Sequence, residues 1–323
     1  MNTLGVTPEG AVEQGKASSA AKTPASAHDT PFTVNVKDVA LIFEGGGMRA
    51  AHTAGVVNTL LEQGLYFADV YGVSAGCTHT LNYLSQDSQR VRESFTGFMG
   101  HKGVAGIGQF LLGHGYFNAR LIYQESGLPS GLLPFDFQRF YDNPARMHIS
   151  SYQLDTNRTV YWTKRDVDSL ASLMTMAQAS SSMPLFMPTV TFQEHRYLDG
   201  GLGDDWGVML EAARADGYER FFVVCTQKKG FRKQPPRPNL AIRLLLGRYP
   251  RLLYRMENRY RFYNQLYERL DQLAAEGKAL VYHPQEIDIK STTIDVTQLE
   301  HAYDQGYAQA QQELPTWLNF LGK

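Results

Sequence analysis

The chain has 323 residues, 43% hydrophobic and 12% aromatic, enough for one large domain or two small ones with a real core. A charged fraction of 20% and a formal net charge of -1 exclude a global electrostatic bias toward nucleic acid. The two cysteines, Cys77 and Cys225, lie far apart, fit neither a disulfide framework nor a zinc site, and point to a reducing, cytoplasmic setting.

Residues 1–35 are rich in Ala, Ser, Thr, Gly and Pro and almost free of large apolar residues. They cannot bury enough surface to offset ordering entropy, so a disordered tail is expected. They carry neither the basic nor the apolar region of a secretory signal, and no apolar run in the chain approaches the ~18 residues of a membrane span.

"VALIF", Val39 to Phe43, is an unbroken apolar run closed by glycines, which predicts a strand buried on both faces. "MRAAHTAGVVNTLLEQGL" has helical spacing, with Gly64 as its C-cap. "FADVYGV" predicts a second buried strand and "SAGCTHTLNYLSQ" a second helix. The succession of strand, Gly turn and helix, twice over, predicts an α/β fold with a parallel sheet. Downstream, "RMHISSYQLDTNRTVYWTK" reads as a hairpin and "LASLMTMAQASSSM" as a helix ending before Pro184. "TVTFQEHRYLDGG" reads as a strand pair and "RFFVVCTQ" as a buried strand. From Leu240 the chain is mostly helical, in two segments broken at Pro250.

Three stretches carry chemistry. In "GVSAG" a serine, Ser74, sits on a tight strand-to-helix turn between Gly72 and Gly76. There its hydroxyl is pushed out of the sheet, and the following helix points its positive end at the site. The pentapeptide alone is weak, and its place between a buried strand and a helix is what strengthens it. In "EGGGMR", Gly45, Gly46 and Gly47 leave backbone N–H groups unshielded at a helix start. They suit either a phosphate cradle or an oxyanion hole. No Lys-Ser/Thr follows as in a P-loop, and Ala50 stands at the last Gly of a dinucleotide fingerprint. Arg49 in the first helical turn opposes the dipole, which hints at a role facing the site. In "YLDGGLGDD", Asp199 before Gly200 and Gly201 is either a turn former or the base for Ser74. A Ser-Asp-His order would call on His283 or His301, but the nucleophile comes too early in the chain for that fold.

Gly-Gly-Gly-x-Arg after the first strand, G-x-S-x-G after the second and Asp-Gly-Gly downstream form an ordered set. That set resembles the patatin-like phospholipases. "ASSSMPLFMPTV", "YLDGGLGDDWGV", "VVCTQKKGFRK" and the C-terminal "YRMENRYRFYNQLYERLDQLAAEGKALVYHP" look like the bacterial single-domain branch of that family. The resemblance covers roughly Val39 to the C-terminus and implies one domain over residues 36–323, helical C-terminal region included. It implies a three-layer α/β/α sandwich with a mostly parallel central sheet, and a serine acyl hydrolase of lipid esters. Ser74 and Asp199 match the catalytic dyad, and Gly45, Gly46, Gly47 and Arg49 match the oxyanion loop. Neither metal nor cofactor is expected. Two departures stand out: Ala50 replaces a common Gly, and Asp204-Asp205-Trp206-Gly207 replaces a segment that is often small and polar. Two extra carboxylates would raise the Asp199 pKa if they pointed inward. The alternatives are a catalytically idle member that binds lipid or a partner, and a Ser-His-Asp esterase.

Residues 228–261 hold eleven Lys and Arg against one acid, Glu257, with Leu and Tyr interleaved. This stretch suits peripheral contact with an anionic membrane, or a solvated helix whose Leu face packs on the domain. Nucleic acid is not expected, since no reading motif accompanies it. "GHKGVAGIGQFLLGHGYFN", Gly100 to Asn118, suits a lid over an acyl pocket or a connecting loop.

Overall fold

The computed structural model describes residues 32–237 and 239–323. The expected tail therefore lies outside the described residues as far as Pro31. Its last part is described: the Asn35 N–H donates to the Tyr66 carbonyl at 2.9 Å, and the Asn35 amide donates to the Gly64 carbonyl at 2.7 Å.

Among the described residues eight strands form one sheet: β1 Val39–Phe43, β2 Asp69–Val73, β3 Arg146–Gln153, β4 Arg158–Thr163, β5 Val190–Phe192, β6 His195–Asp199, β7 Arg220–Val224 and β8 Ala279–Tyr282. The helices are α1 Ala50–Glu62, α2 Ala75–Ser85, α3 Ser88–Glu93, α4 Ile107–Leu111, α5 Phe137–Asp142, α6 Leu170–Ser181, α7 Leu210–Ala215, α8 Leu240–Leu246, α9 Pro250–Ala275 and α10 Val296–Leu321. The strands β3-β2-β1-β7-β8 are parallel, while β4 and β6 join β3 antiparallel and β5 joins β6 antiparallel.

The apolar run of β1 is divided between two cores. Val39, Leu41 and Phe43 pack with α1, α2 and α10, whereas Ala40 and Ile42 pack with α7 and α9. A strand with both faces covered needs no polar alternation. The result is the three-layer α/β/α arrangement with a mostly parallel sheet. Helices α1 and α10 cross closely at Gly55 and Gly306, where a side chain on either would run into the other helix's backbone. Pro250 occupies the first turn of α9, where its missing N–H costs nothing.

One feature of the sheet positions the site. β4 runs along one edge of β3 from His148 to Gln153, and β2 runs along the other as far as Ser150. β6 pairs with Ser151–Gln153, so it takes over the edge that β2 leaves. Val73 pairs with Ser150, and Asp199 pairs with the next residue, Ser151. The ends of β2 and β6 therefore meet head to head.

Candidate active site

Ser74 follows β2 directly and has φ +57°, a left-handed conformation that side chains avoid. The turn is tight enough that a Cβ on Gly72 would strike the Gly76 carbonyl and the Thr80 hydroxyl, and one on Gly76 would strike the Phe43 carbonyl. Both glycines are thus required by close approach. The Ser74 N–H donates to Ser180 Oγ at 3.0 Å, at the end of α6.

Asp199 is buried at the end of β6. Its Oδ1 accepts the Gly201 N–H at 2.7 Å, while Oδ2 is buried without a hydrogen-bond partner among the described residues. Burial raises the Asp199 pKa, and the Arg259 charge, the Ser74 hydroxyl and the Gly201 N–H pull it back. The serine hydroxyl is thus near enough to act on the carboxyl, yet outside hydrogen-bond geometry to Oδ2. A side chain on Gly200 would strike the Ser150 carbonyl and Val73. One on Gly201 would strike Arg259 and Asp199 itself. Asp204 and Asp205 do not enter the Asp199 balance. Asp204 turns away to Arg255 at 2.8 Å, and Asp205 is buried beside Tyr161.

The Gly-rich loop divides. The Gly45 N–H is committed to the Gly207 carbonyl at 3.0 Å. The N–H groups of Gly46 and Gly47 enter no such loop bond among the described residues, and they line the same pocket as Ser74 and Asp199. Gly47 has φ +56° and begins the short helical turn Gly47–Arg49 before α1. Behind the loop stands Glu44, a buried carboxylate. It accepts Tyr263 OH at 2.6 Å, Tyr267 OH at 2.8 Å and the Thr226 N–H at 2.5 Å.

Ser74 lies where two cavities meet. One is narrow, about 80 Å³, and lined by apolar side chains including Phe95, Phe98, Phe117 and Met174. The other, about 250 Å³, is more polar: Arg49, Lys233, Arg259, Asp199 and the Gly-rich loop line it, together with Met183, Phe186 and Met256. No histidine lines either one. His283 engages the Gln227 carbonyl at 3.0 Å and His301 is exposed on α10, so neither is brought to Ser74. Among the described residues no group of three or more His, Cys, Asp or Glu is placed to hold a metal ion.

Sequence reasoning did not single out Glu44, Tyr263 and Tyr267. An acid closing an unbroken apolar strand, and tyrosines four apart on an amphipathic helix, were the available signals. It also read Lys233 and Arg259 only as members of a basic stretch.

The model of the patatin-like phospholipase family matches residues 41–210. The chain belongs to that family, and membership supports lipid hydrolase activity. Residues 249–322 match a domain of unknown function, DUF6363. Among solved structures the chain is similar to VipD from Legionella pneumophila, at 12% identity and a TM-score of 0.47, covering 86% of this chain and 67% of that one. No curated protein matches the chain.

Proposed function

We propose that the chain is a serine acyl hydrolase of lipid esters, of phospholipase or lysophospholipase type, with residues 36–323 as its working domain. The observation that carries this reading is the junction at Ser74. A strained serine, a buried carboxylate with one free oxygen, and unspent N–H groups share a pocket that opens beside an apolar slot. The slot takes the acyl chain. Ser74 Oγ attacks the ester carbonyl as Asp199 Oδ2 takes its proton, and Oδ1 stays fixed by Gly201. Gly46 and Gly47 hold the oxyanion, with Gly45 anchoring the loop to Gly207. The alcohol leaves with the proton from Asp199, and water then hydrolyses the acyl-enzyme by the same steps. The setting proposed is cytoplasmic and peripheral to a membrane, approached through the 228–261 stretch.

Hydrolysis of p-nitrophenyl butyrate by wild type, Ser74→Ala and Asp199→Asn, with folding checked by circular dichroism, tests the dyad. Either substitution is expected to lower kcat by about 10³-fold or more. An inactive wild type whose Ser74 takes up no organophosphonate would favour the idle binder. An active Ser74→Ala protein would sink the dyad outright.

A further inference from the structure

We propose that Arg90 closes the far end of the acyl slot as a receptor for an anion, and so selects acyl chains of medium length whose far end carries a carboxylate. The proposal rests on the hydrolase reading and adds the class of acyl group, which that reading leaves open.

The slot follows α2, the helix that begins right after Ser74. Ala75, Thr78 and Asn82 line it at helical spacing. Asn82 stands about two turns beyond the serine, about 12 Å along the helix. An extended chain advances roughly 1.2 Å per bond, so about ten carbons reach from the ester to that end. There Arg90 Nε donates to Asn82 Oδ1 at 3.1 Å. Phe135 lines the same slot, with its ring 5.2 Å from the guanidinium. Among the described residues Arg90 is the one charged side chain that lines the slot, and it is 7% exposed. Its side-chain hydrogen bonds go to neutral oxygens: Asn82 Oδ1, the Leu133 carbonyl, and the Pro134 carbonyl at 3.1 Å. These use Nε and Nη1, while Nη2 makes no hydrogen bond among the described residues. Asp87 accepts the Arg90 backbone N–H at 2.8 Å, not its guanidinium.

A guanidinium buried without a paired acid is costly. Burial pulls the Arg90 pKa down to about 10 against the opposing charge of Asp87. Folding has already stripped water from this cation, so an arriving carboxylate bears only its own desolvation. It supplies the missing counter-charge and accepts a charge-assisted hydrogen bond from Nη2. A chain that ends in a methyl group fills the same slot but leaves the charge unpaired. Asn82 and Ser94 hold the receptor in place. The Asn82 amide donates to Ser94 Oγ at 3.0 Å, and the Ser94 hydroxyl donates to the Arg90 carbonyl at 2.7 Å. Their polar groups are spent on each other and on Arg90, which leaves Nη2 as the donor for a ligand.

The test compares kcat/KM for the mono-p-nitrophenyl ester of decanedioic acid and for p-nitrophenyl decanoate, which differ only at the chain end remote from the ester. The ratio of carboxylate-ended to methyl-ended ester is expected to fall about tenfold or more in Arg90→Met and to recover in Arg90→Lys. An unchanged ratio overturns the receptor. Arg90 also holds the Leu133 and Pro134 carbonyls, so Arg90→Met can fail to fold. A length series in wild type then decides, with the hexanedioic monoester set against p-nitrophenyl hexanoate. The shorter chain stops short of Arg90, so the ratio is expected to rise about tenfold or more from six carbons to ten. A ratio that does not rise with length overturns the receptor. Failure of the hydrolase reading looks different: wild type turns over none of these esters and Ser74 takes up no organophosphonate. In that event calorimetric titration of wild type decides. Monomethyl decanedioate bound about tenfold more tightly than methyl decanoate supports the receptor. Equal binding, or none, overturns it.

Discussion

Burial pushes Asp199 toward its neutral form, and Arg259 pulls it back toward the carboxylate that the proposed base role requires. Activity is therefore expected to fall as pH drops through the raised Asp199 pKa. Replacing Arg259 with Gln removes the pull, raises that pKa further, and moves the acid limb of kcat/KM to higher pH. A pH profile on the neutral ester measures this, and a limb that stays put or moves down contradicts the assigned balance. Asp205 poses a separate problem: it is 2% exposed, both its carboxylate oxygens lack a hydrogen bond among the described residues, and its pKa is pushed up to about 7. The folded protein then holds a proton that the unfolded chain releases near pH 4. Its stability contribution is full below about pH 4 and is lost as pH rises through about 7. At about 1.4 kcal/mol per pKa unit the loss is on the order of 4 kcal/mol. Asp205→Asn should flatten the fall in Tm between acidic and neutral pH. Ser74 and Asp199 were legible because each closes a local strand-and-turn pattern. The role of Glu44 was not, because its partners Thr226 and Tyr263 lie 182 and 219 residues away.

Helix α9 is the element that grips both halves of the site. Tyr263 and Tyr267 hold Glu44 ahead of the Gly-rich loop, while Arg259 holds the Gly201 carbonyl beside Asp199 and Arg255 holds the Leu202 carbonyl. The paired substitution Tyr263→Phe with Tyr267→Phe leaves a buried carboxylate short of two donors. Each lost bond is expected to cost about 1–3 kcal/mol, measured by urea unfolding. The freed loop should lower kcat by about tenfold with a smaller change in KM. A loss of stability with kcat intact would mean that the tyrosines only fill the core. The strands and the elbow were readable from apolar runs and glycines. The meeting of β2 and β6 was not, because it follows from a register shared along β3, and register is fixed by tertiary pairing. For the same reason the basic stretch looked uniform in sequence, yet folding sends some of its cations to acids and others into the pocket.

At the scale of the whole molecule, the most exposed large apolar side chains among the described residues gather at two short helices. Leu111 and Leu112 at the end of α4 are 80% and 70% exposed, and Leu240 and Leu244 on α8 are 72% and 76% exposed. The sequence alternative in which the Leu face packs on the domain holds for Leu252 and Leu246, which join Tyr152 and Leu198, but not for these α8 leucines. The segments that follow the two helices reach the pocket that Arg49, Lys233 and Arg259 line. The Tyr116 N–H ties the α4 loop to the Phe186 carbonyl at its rim, and Met256, on the helix that follows α8, lines it. Among the described residues no helix is long and apolar enough to cross a membrane. Burying exposed leucines in the acyl boundary, with Arg248 and Arg251 toward anionic headgroups, would bring the pocket mouth to its substrate. Leu244→Asp with Leu245→Asp replaces apolar surface that touches little else, so folding should be unaffected. Hydrolysis of phosphatidylglycerol vesicles is then expected to fall about tenfold while hydrolysis of monomeric dihexanoyl phosphatidylglycerol holds. Added salt should weaken the wild type on vesicles more than on monomers, because headgroup attraction is screened within a Debye length. Equal losses on both substrates would place the α8 leucines in the working of the site itself rather than in reaching the lipid.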